Sequence, residues 1–218
     1  MGLSFMLDYA LYHKRFLPHI QPKGRPLFIT VRSSDPIPPK FMDEYIRYTD
    51  TLRLAEKQKP EDHELKATNN KKAFAFIDDI FHKSAGGIDF TKPEAIATMM
   101  SENLQALHGK VCFISAYTIM PNHLHILLRP FEREGKPIST AEIMKSFKGL
   151  SARQVNLILN RSGSLWYREY YDHWVRSGRE FVNVVEYIRQ NPVRAGLVKE
   201  PEEWQWTWLN LHEGEVMW

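Results

Sequence analysis

Hydrophobic residues recur along the 218-residue chain at two spacings, one typical of helices and one typical of strands. Apolar residues three or four positions apart predict helices over about 40–55, 73–83, 92–110, 140–160 and 179–192. The helix at 140–160 should bury a face made of Ile143, Phe147, Leu150, Val155 and Leu157. Pro192 should end the last helix, because proline lacks a backbone N–H and clashes with the preceding turn. The charged segment 56–72 has few apolar residues, which predicts a surface loop or a weak helix.

Four shorter segments are rich in β-branched and aromatic residues, which predicts strands. They are LFITVRS from Leu27, VCFISAYTI from Val111, HLHILLRP from His123 and the aromatic stretch SLWYREYYDHWVRS from Ser164. The second and third are separated only by the turn MPN, so they should pair as neighbours. Strands and helices in this order predict an α+β domain, with an antiparallel sheet and helices packed on one face.

Composition adds little to this prediction, and the distribution of charge adds more. The chain is 43% hydrophobic and 25% charged, which is ordinary for a globular protein with one substantial core. A net charge of +3 and a pI near 8.9 allow a polyanionic partner such as nucleic acid without requiring one. Positive charge is concentrated at both ends of the chain: residues 141–199 contain ten Lys and Arg against five Asp and Glu.

Cys112 is the only cysteine, which excludes an intrachain disulfide and thiolate-rich metal sites. A reducing setting is therefore favoured. No apolar run approaches the roughly 20 residues that cross a bilayer, and the start of the chain lacks the pattern of a secretory signal. We therefore expect a cytoplasmic protein with no membrane partner.

His123 and His125 are separated by one residue, Leu124, in the strand HLHILLRP. Residues two apart in a strand point to the same face, so the two imidazoles should lie side by side while Leu124 and Ile126 face the other way. Imidazole is a common ligand of divalent metals, and a pair on one face leaves room for a third ligand. Such a pair can equally be structural, held by hydrogen bonds at a sheet edge, so the pair alone does not define a site.

Tyr187 and Asn191 are the candidates for the additional groups. They are four residues apart, so they share one face of the helix if it extends to Asn191. The carboxamide oxygen of Asn191 could complete a metal site, and Tyr187 could reach a phosphate held there. Alternatively, Asn191 caps the helix before Pro192, and Tyr187 is a half-buried aromatic residue packed on the sheet.

Four motifs occur in an order and at spacings that resemble the REP-associated tyrosine transposases of the single-tyrosine HUH nuclease superfamily. They are MPNHLH, SFKGLSARQVN, LWYREYYDHWVR, and YIRQNPVRAGLV followed by PEEWQW. The resemblance covers about 115–208 and includes, more loosely, RFLPH and GRPLFITVR near the N-terminus. The region 41–110 matches less clearly and is expected to be a helical insertion in a single domain of residues 1–218.

The resemblance implies an RRM-like or ferredoxin-like palm with the histidine pair on a central strand. It implies that Tyr187 attacks a phosphate of single-stranded DNA, forms a 5′-phosphotyrosine link and releases a 3′-hydroxyl, so that strands can later be rejoined. An unperturbed phenol has a pKa near 10, so this nucleophile needs activation. The implied cofactor is Mg²⁺ or Mn²⁺ bound by His123, His125 and Asn191, although Mg²⁺ prefers a harder ligand set.

The implied partner is a hairpin-forming repeat in the nucleoid, and the chain could act as a monomer or a dimer. Six residues are candidates for DNA contacts: Lys145, Lys148, Arg153, His173, Arg176 and Arg194. Lys148 and His173 lie within the shared motifs, which favours them over the others. Aromatic rings between Trp166 and Trp174 could stack on unpaired bases. The alternative for each is a solvated surface charge or a core aromatic residue.

Three other functions stay open at this stage. A catalytically silent descendant of a transposase would bind hairpin DNA without cleaving it, although the tyrosine and all three candidate ligands are present. A metal-dependent phosphodiesterase would use water as its nucleophile and would survive Tyr187→Phe. An RRM-like RNA binder is disfavoured, because the histidine pair occupies the strand face that such modules usually give to aromatic residues.

Overall fold

The computed structural model describes residues 9–14, 18–84 and 87–211. The helices are α1 (Pro39–Gln58), α2 (His63–Lys83), α3 (Glu94–Leu107), α4 (Thr140–Ile158), α5 (Gly178–Arg194) and a short 3-10 helix (Pro201–Glu203). The strands are β1 (Tyr9–Lys14), β2 (Pro18–Pro22), β3 (Leu27–Arg32), β4 (Cys112–Ile119), β5 (His123–Pro130), β6 (Glu132–Arg133), β7 (Lys136–Pro137), β8 (Tyr171–Trp174) and β9 (Thr207–Leu209). None of the helices within these ranges is both long and apolar enough to cross a membrane.

The chain divides into two compact units, one of residues 35–87 and one of the residues before and after them. The unit 35–87 contains α1 and α2, which contact each other through the stacked rings of Tyr48 and Phe76, with centroids 4.5 Å apart. Asn69 of α2 donates to the Leu52 carbonyl of α1 at 3.2 Å. Most of segment 56–72 is helical, so of the two predicted alternatives, a surface loop or a weak helix, the helix is confirmed. Asp62 begins α2 by accepting a hydrogen bond from the Leu65 N–H at 2.8 Å.

The larger unit is built on a five-stranded antiparallel sheet in the order β8-β3-β5-β4-β9. Strands β3, β4, β5 and β8 alternate with α3 and α4 in the chain as β-α-β-β-α-β, which is the ferredoxin-like arrangement, and β9 extends the β4 edge. The predicted α+β fold with an antiparallel sheet is therefore confirmed. The hairpin of β4 and β5 joined by MPN is present as predicted.

One face of the sheet packs against α3 and α4. Alternate residues of the central strands point into this core, among them Leu27, Ile29, Leu124 and Ile126, all fully buried. Burying them supplies most of the driving force for folding, at roughly 25 cal/mol per Å² of apolar surface removed from water. The helix α3 falls within the region 41–110 but is part of this core, through side chains such as Met100.

The face of α4 that is buried differs from the predicted one. Ile143, Phe147 and Val155 are buried, whereas Leu150 is 48% exposed and Leu157 is 72% exposed. Residues advance by about 100° around a helix, so Leu150 and Leu157 lie about 100–120° from Ser151, which is at the centre of the buried face. The polar residue at that centre, Ser151, stays buried because its hydroxyl donates to the Phe147 carbonyl at 2.7 Å and accepts from the Trp166 indole at 3.0 Å.

The opposite face of the sheet, called here the histidine face, is contacted by α5. The sequence predicts helices on one face of the sheet only. In the structure α3 and α4 pack on one face, and α5 lies on the other. The prediction that Pro192 ends this helix is wrong, because α5 continues to Arg194. Ala195 N–H still donates to the Asn191 carbonyl at 3.0 Å and Leu197 N–H to the Pro192 carbonyl at 3.0 Å, so proline removes a single donor. The left-handed φ of +69° at Gly196 marks the end of the helix.

Candidate metal and tyrosine site

His123 and His125 lie side by side on the histidine face, with ring centroids 4.9 Å apart and ring planes at 75°. They are 1% and 0% exposed. One ring nitrogen from each lies within 4.8 Å of the other, which is close enough for both to bind a single ion. Neutral imidazole is the form of histidine that binds metals.

The strands beside the pair fix the orientation of both rings. Thr30 lies directly opposite His125 in the pairing of β3 with β5, and its Oγ1 is 2.8 Å from His125 Nδ1. Asn122 Oδ1 lies 2.7 Å from His123 Nδ1. When the other nitrogen binds a metal, Nδ1 carries the proton and donates, so Thr30 and Asn122 hold each ring with Nε2 as the metal-binding atom.

Tyr187 projects from α5 onto the same face. Its ring centroid lies 5.5 Å from that of His125 and 5.8 Å from that of Phe28, edge-on to both. Phe28 also stacks on His125 at 5.4 Å, so the three rings all contact one another. The guanidinium carbon of Arg194 lies 4.7 Å from the Tyr187 centroid. This contact places a positive charge over the Tyr187 ring.

Asn191 lies one turn after Tyr187 and is fully buried. Because α5 runs past it to Arg194, Asn191 is inside the helix, and the alternative role as a cap before Pro192 is excluded. Two imidazole nitrogens and one carboxamide oxygen are donors that divalent metals accept, and all three side chains are buried on elements in contact. The donor types present therefore suit a divalent cation, and Asn191 as the third ligand stays a prediction.

The six predicted DNA contacts fall in different places. Arg194 lies at the tyrosine, as described. His173 is on the histidine face of β8, opposite Phe28, and its Nε2 is 3.1 Å from Glu180 Oε1. Arg176 is exposed, with its guanidinium 5.0 Å from the Trp174 centroid.

The remaining three predicted contacts lie on α4, which covers the opposite face of the sheet. Lys145 and Arg153 are exposed there. Lys148 donates from Nζ to the carbonyls of Tyr167 and Arg168 at 2.8 and 3.0 Å. DNA binding by all six residues stays a prediction.

Sequence reasoning missed Thr30 and Asn122. The signal for Thr30 is weak, because a threonine in a strand is common and only the strand register places it beside His125. Asn122 directly precedes His123 in MPNHLH, so it could have been considered as a partner of the first ring. Trp166 is a core residue, 5% exposed, and offers no open ring for stacking on a base.

Comparison with known proteins agrees with the resemblance that the sequence motifs indicate. Residues 93–191 match the model of the family described as "Transposase IS200 like". This range includes both histidines, Tyr187 and Asn191.

Two curated proteins of Haemophilus influenzae are similar to the chain. One is a putative REP-associated tyrosine transposase, 28% identical over 98 residues that make up 42% of this chain and 56% of the relative. The other has a name that assigns no function, and it is 29% identical over 98 residues, or 37% of this chain and 54% of that protein. The matched part thus spans a little more than half the length of these relatives. The resemblance to REP-associated tyrosine transposases predicted from the motifs is confirmed.

Among solved structures, one similar chain is a REP-associated tyrosine transposase bound to a REP hairpin. Superposition gives a TM-score of 0.45 at 14% identity and covers 90% of this chain and 81% of that chain.

Proposed function

We propose that this protein is a metal-dependent endonuclease and strand transferase that acts on single-stranded DNA through a 5′-phosphotyrosine intermediate. The observation that carries the proposal is the position of Tyr187, whose ring lies 5.5 Å from His125 of the buried histidine pair and beneath the Arg194 guanidinium. A phenol, a cation and a ligand set for a divalent metal meet on one face of the sheet. Phosphodiester transfer to a tyrosine requires these three components.

In the proposed reaction the Tyr187 oxygen forms a bond to phosphorus as the bond from phosphorus to the 3′-oxygen breaks. The phenol proton passes to solvent, and the departing 3′-oxygen takes a proton from solvent, so one phosphodiester replaces another. Attack by a second 3′-hydroxyl on the phosphotyrosine reverses these changes and joins two strands. No external energy source is needed, because the energy of the phosphodiester is kept in the protein–DNA link.

Each residue of the site has a defined task. His123, His125 and Asn191 would hold Mg²⁺ or Mn²⁺, which would polarise a phosphate oxygen and stabilise the charge of the transition state. Thr30 and Asn122 orient the imidazoles. Phe28 packs against both Tyr187 and His125, which limits the movement of the nucleophile relative to the metal ligands.

The proposed substrate is a hairpin-forming repeat near the gene for this protein, which would place its action at chromosomal DNA in the cytoplasm. The support is the relative described as REP-associated. Lys145, Arg153 and Arg176 are exposed cations that could contact the phosphates of such DNA.

The test is a denaturing gel of the protein incubated with single-stranded DNA from the flanks of its gene, with and without Mn²⁺ or Mg²⁺. Wild type should form a metal-dependent covalent adduct that mass spectrometry maps to Tyr187, and Tyr187→Phe should form none. Tyr171→Phe is the matched control, because Tyr171 is another half-buried tyrosine on the sheet, opposite Thr30. This control should form the adduct normally.

Other outcomes would assign other functions. Cleavage without an adduct that persists in Tyr187→Phe would show that water is the nucleophile. Binding to hairpin DNA without cleavage under any metal would show a catalytically silent binding protein. Loss of the adduct in Tyr171→Phe rather than in Tyr187→Phe would show that the nucleophile has been assigned to the wrong residue.

A further inference from the structure

A second cation and aromatic pair lies beside the histidines. Arg32 is the last residue of β3 and lies directly opposite His123 in β5. It follows Phe28 and Thr30 at a spacing of two, so its side chain leaves the strand on the histidine face. Directly opposed residues of antiparallel strands have Cβ atoms about 5 Å apart. The Arg32 side chain therefore starts next to a candidate metal ligand.

The partner of Arg32 is Tyr167. The guanidinium carbon lies 3.8 Å from the ring centroid, which is a stacking distance, and Tyr167 N–H donates to the Arg32 carbonyl at 3.0 Å. Tyr167 is 45% exposed although the guanidinium lies over one face of its ring. Much of this residue is therefore open to solvent.

The loop that carries Tyr167 is anchored on both sides of the ring. Trp166, the preceding residue, is buried and donates its indole N–H to Ser151. Lys148 donates to the carbonyls of Tyr167 and Arg168. An exposed aromatic ring on an anchored backbone loses little conformational entropy on binding, and this favours a recognition surface.

We propose that the Arg32–Tyr167 pair is a stacking site for one unpaired base that adjoins the scissile phosphate, and that Lys148 is a positioning residue for it. The proposal rests on the proposed function for the presence of single-stranded DNA. An aromatic ring backed by a guanidinium stacks on any base, because every base has a π face, and sequence preference is not needed. The ammonium of Lys148 serves the loop carbonyls instead of a DNA phosphate.

The probe is a hairpin oligonucleotide from the gene flanks with 2-aminopurine at one position of its single-stranded tail, moved along the tail in a series. Binding is measured in the Tyr187→Phe background, so that no cleavage or adduct interferes. One position should show fluorescence quenching, and Tyr167→Ala should abolish it and weaken binding about 5- to 160-fold, the range for loss of one stacked base. Tyr167→Trp should retain both quenching and affinity.

Two further measurements separate stacking from other causes. An abasic nucleotide at the quenched position should bind wild type and Tyr167→Ala equally. Lys148→Met should reduce the quenching and leave the salt dependence of affinity unchanged. Loss of a phosphate contact would instead lower the slope of log affinity against log salt concentration by about 1. Lys110→Met is the surface control, because Lys110 is an exposed lysine outside the candidate DNA contacts.

The stacking site is overturned if Tyr167→Ala binds and quenches as wild type does. This holds even if the separate cleavage assay shows the Tyr187 adduct. The positioning role of Lys148 is overturned if Lys148→Met lowers the salt dependence and leaves quenching intact. A wild-type protein that neither binds nor cleaves the oligonucleotides overturns the proposed function together with the stacking site.

Discussion

The guanidinium of Arg194 lies over the ring of Tyr187, with its central carbon 4.7 Å from the ring centroid. The two residues are seven positions apart on α5, so they are separated by two helical turns on the same side. Pro192 lies between them, and the pair forms only because α5 continues through this proline. Arg194 therefore lies at the end of α5 and places a cation over the ring of the candidate nucleophile.

Replacing Arg194 should slow adduct formation. Cation–π contacts contribute about 0.5–2 kcal/mol, depending on exposure, so Arg194→Ala should lower the single-turnover rate about 2- to 30-fold at saturating DNA. Arg194→Lys should recover only part of the rate, because a lysine ammonium lacks the planar group that stacks on the ring. The measurement is the time course of the covalent adduct on a denaturing gel.

Arg179→Ala is the control for this prediction, because Arg179 is an exposed arginine in the first turn of the same helix. It should leave the rate at saturating DNA unchanged. If Arg194→Ala changes only the affinity for DNA and not the saturated rate, Arg194 contacts a phosphate and has no part in orienting or activating the tyrosine.

Thr30→Val should weaken metal binding without removing a metal ligand. The substitution keeps the shape of the side chain and deletes the hydroxyl that lies 2.8 Å from His125 Nδ1. Loss of such an outer partner typically costs 10- to 100-fold in metal affinity, so more Mn²⁺ should be needed for half-maximal adduct formation. The measurement is a Mn²⁺ titration of the adduct rate.

Thr207→Val provides the comparison, because the Thr207 hydroxyl lies 2.8 Å from Thr118 Oγ1 and belongs to the edge strand β9. Its Mn²⁺ requirement should match that of wild type. An unchanged requirement in Thr30→Val as well would mean that the hydroxyl does not support the metal-binding form of His125.

Local patterns in the sequence predicted much of the sheet and its histidine pair, because alternation along a strand is a local property. The position of both imidazoles on one face follows from a spacing of two. Thr30 could not be predicted in the same way, since it is 95 residues from His125 and meets it only through the register of β3 with β5. Long-range register depends on the packing of the whole sheet.

The errors in the helices have related causes. A proline forbids one backbone hydrogen bond, and in α5 the burial of Ile188, Asn191 and Pro192 stabilises the helix beyond this loss. In α4, apolar spacing alone did not distinguish the buried Val155 from the exposed Leu157. The buried hydroxyl of Ser151 marks the centre of that face, and its role depends on a hydrogen bond from Trp166 that no periodicity reveals.

Glu180 should be important for stability, because it connects α5 to β8. Its Oε1 lies 3.1 Å from His173 Nε2, and its Oε2 accepts from the Arg176 N–H at 2.9 Å. Glu180→Ala removes the acceptor of both contacts, one partly buried and one exposed, and should lower the free energy of unfolding by about 1–3 kcal/mol. Glu180→Gln keeps one acceptor oxygen and should cost less. The measurement is the urea midpoint at constant slope.

Arg179→Ala, next in sequence to Glu180, should change the free energy of unfolding by no more than about 0.5 kcal/mol. His173→Ala should show a loss comparable to that of Glu180→Ala, and the double variant should lose less than the sum, since both changes remove one contact. Wild-type stability in His173→Ala with weakened DNA binding would instead support His173 as a DNA contact.

The single thiol should report on unfolding. Cys112 is 0% exposed, and burial raises the pKa of its thiol from an ordinary 9.0 to about 12. The folded protein therefore holds this proton more tightly than the unfolded chain. The corresponding stabilisation is complete below about pH 9 and is lost as the pH rises toward 12. The native thiol should resist a thiol reagent near neutral pH and react fully in denaturant.

Comparison with Cys112→Ala isolates the contribution of the thiol from the other groups that titrate in alkali. The variant should be less stable than wild type near pH 8, because alanine leaves a small cavity in the core. The difference in urea midpoint should shrink between about pH 8 and about pH 10.5, because only wild type loses the thiol contribution. A difference that stays constant over this range, or a native thiol that reacts as fast as the denatured one, would show that the thiol is accessible to solvent in the folded protein.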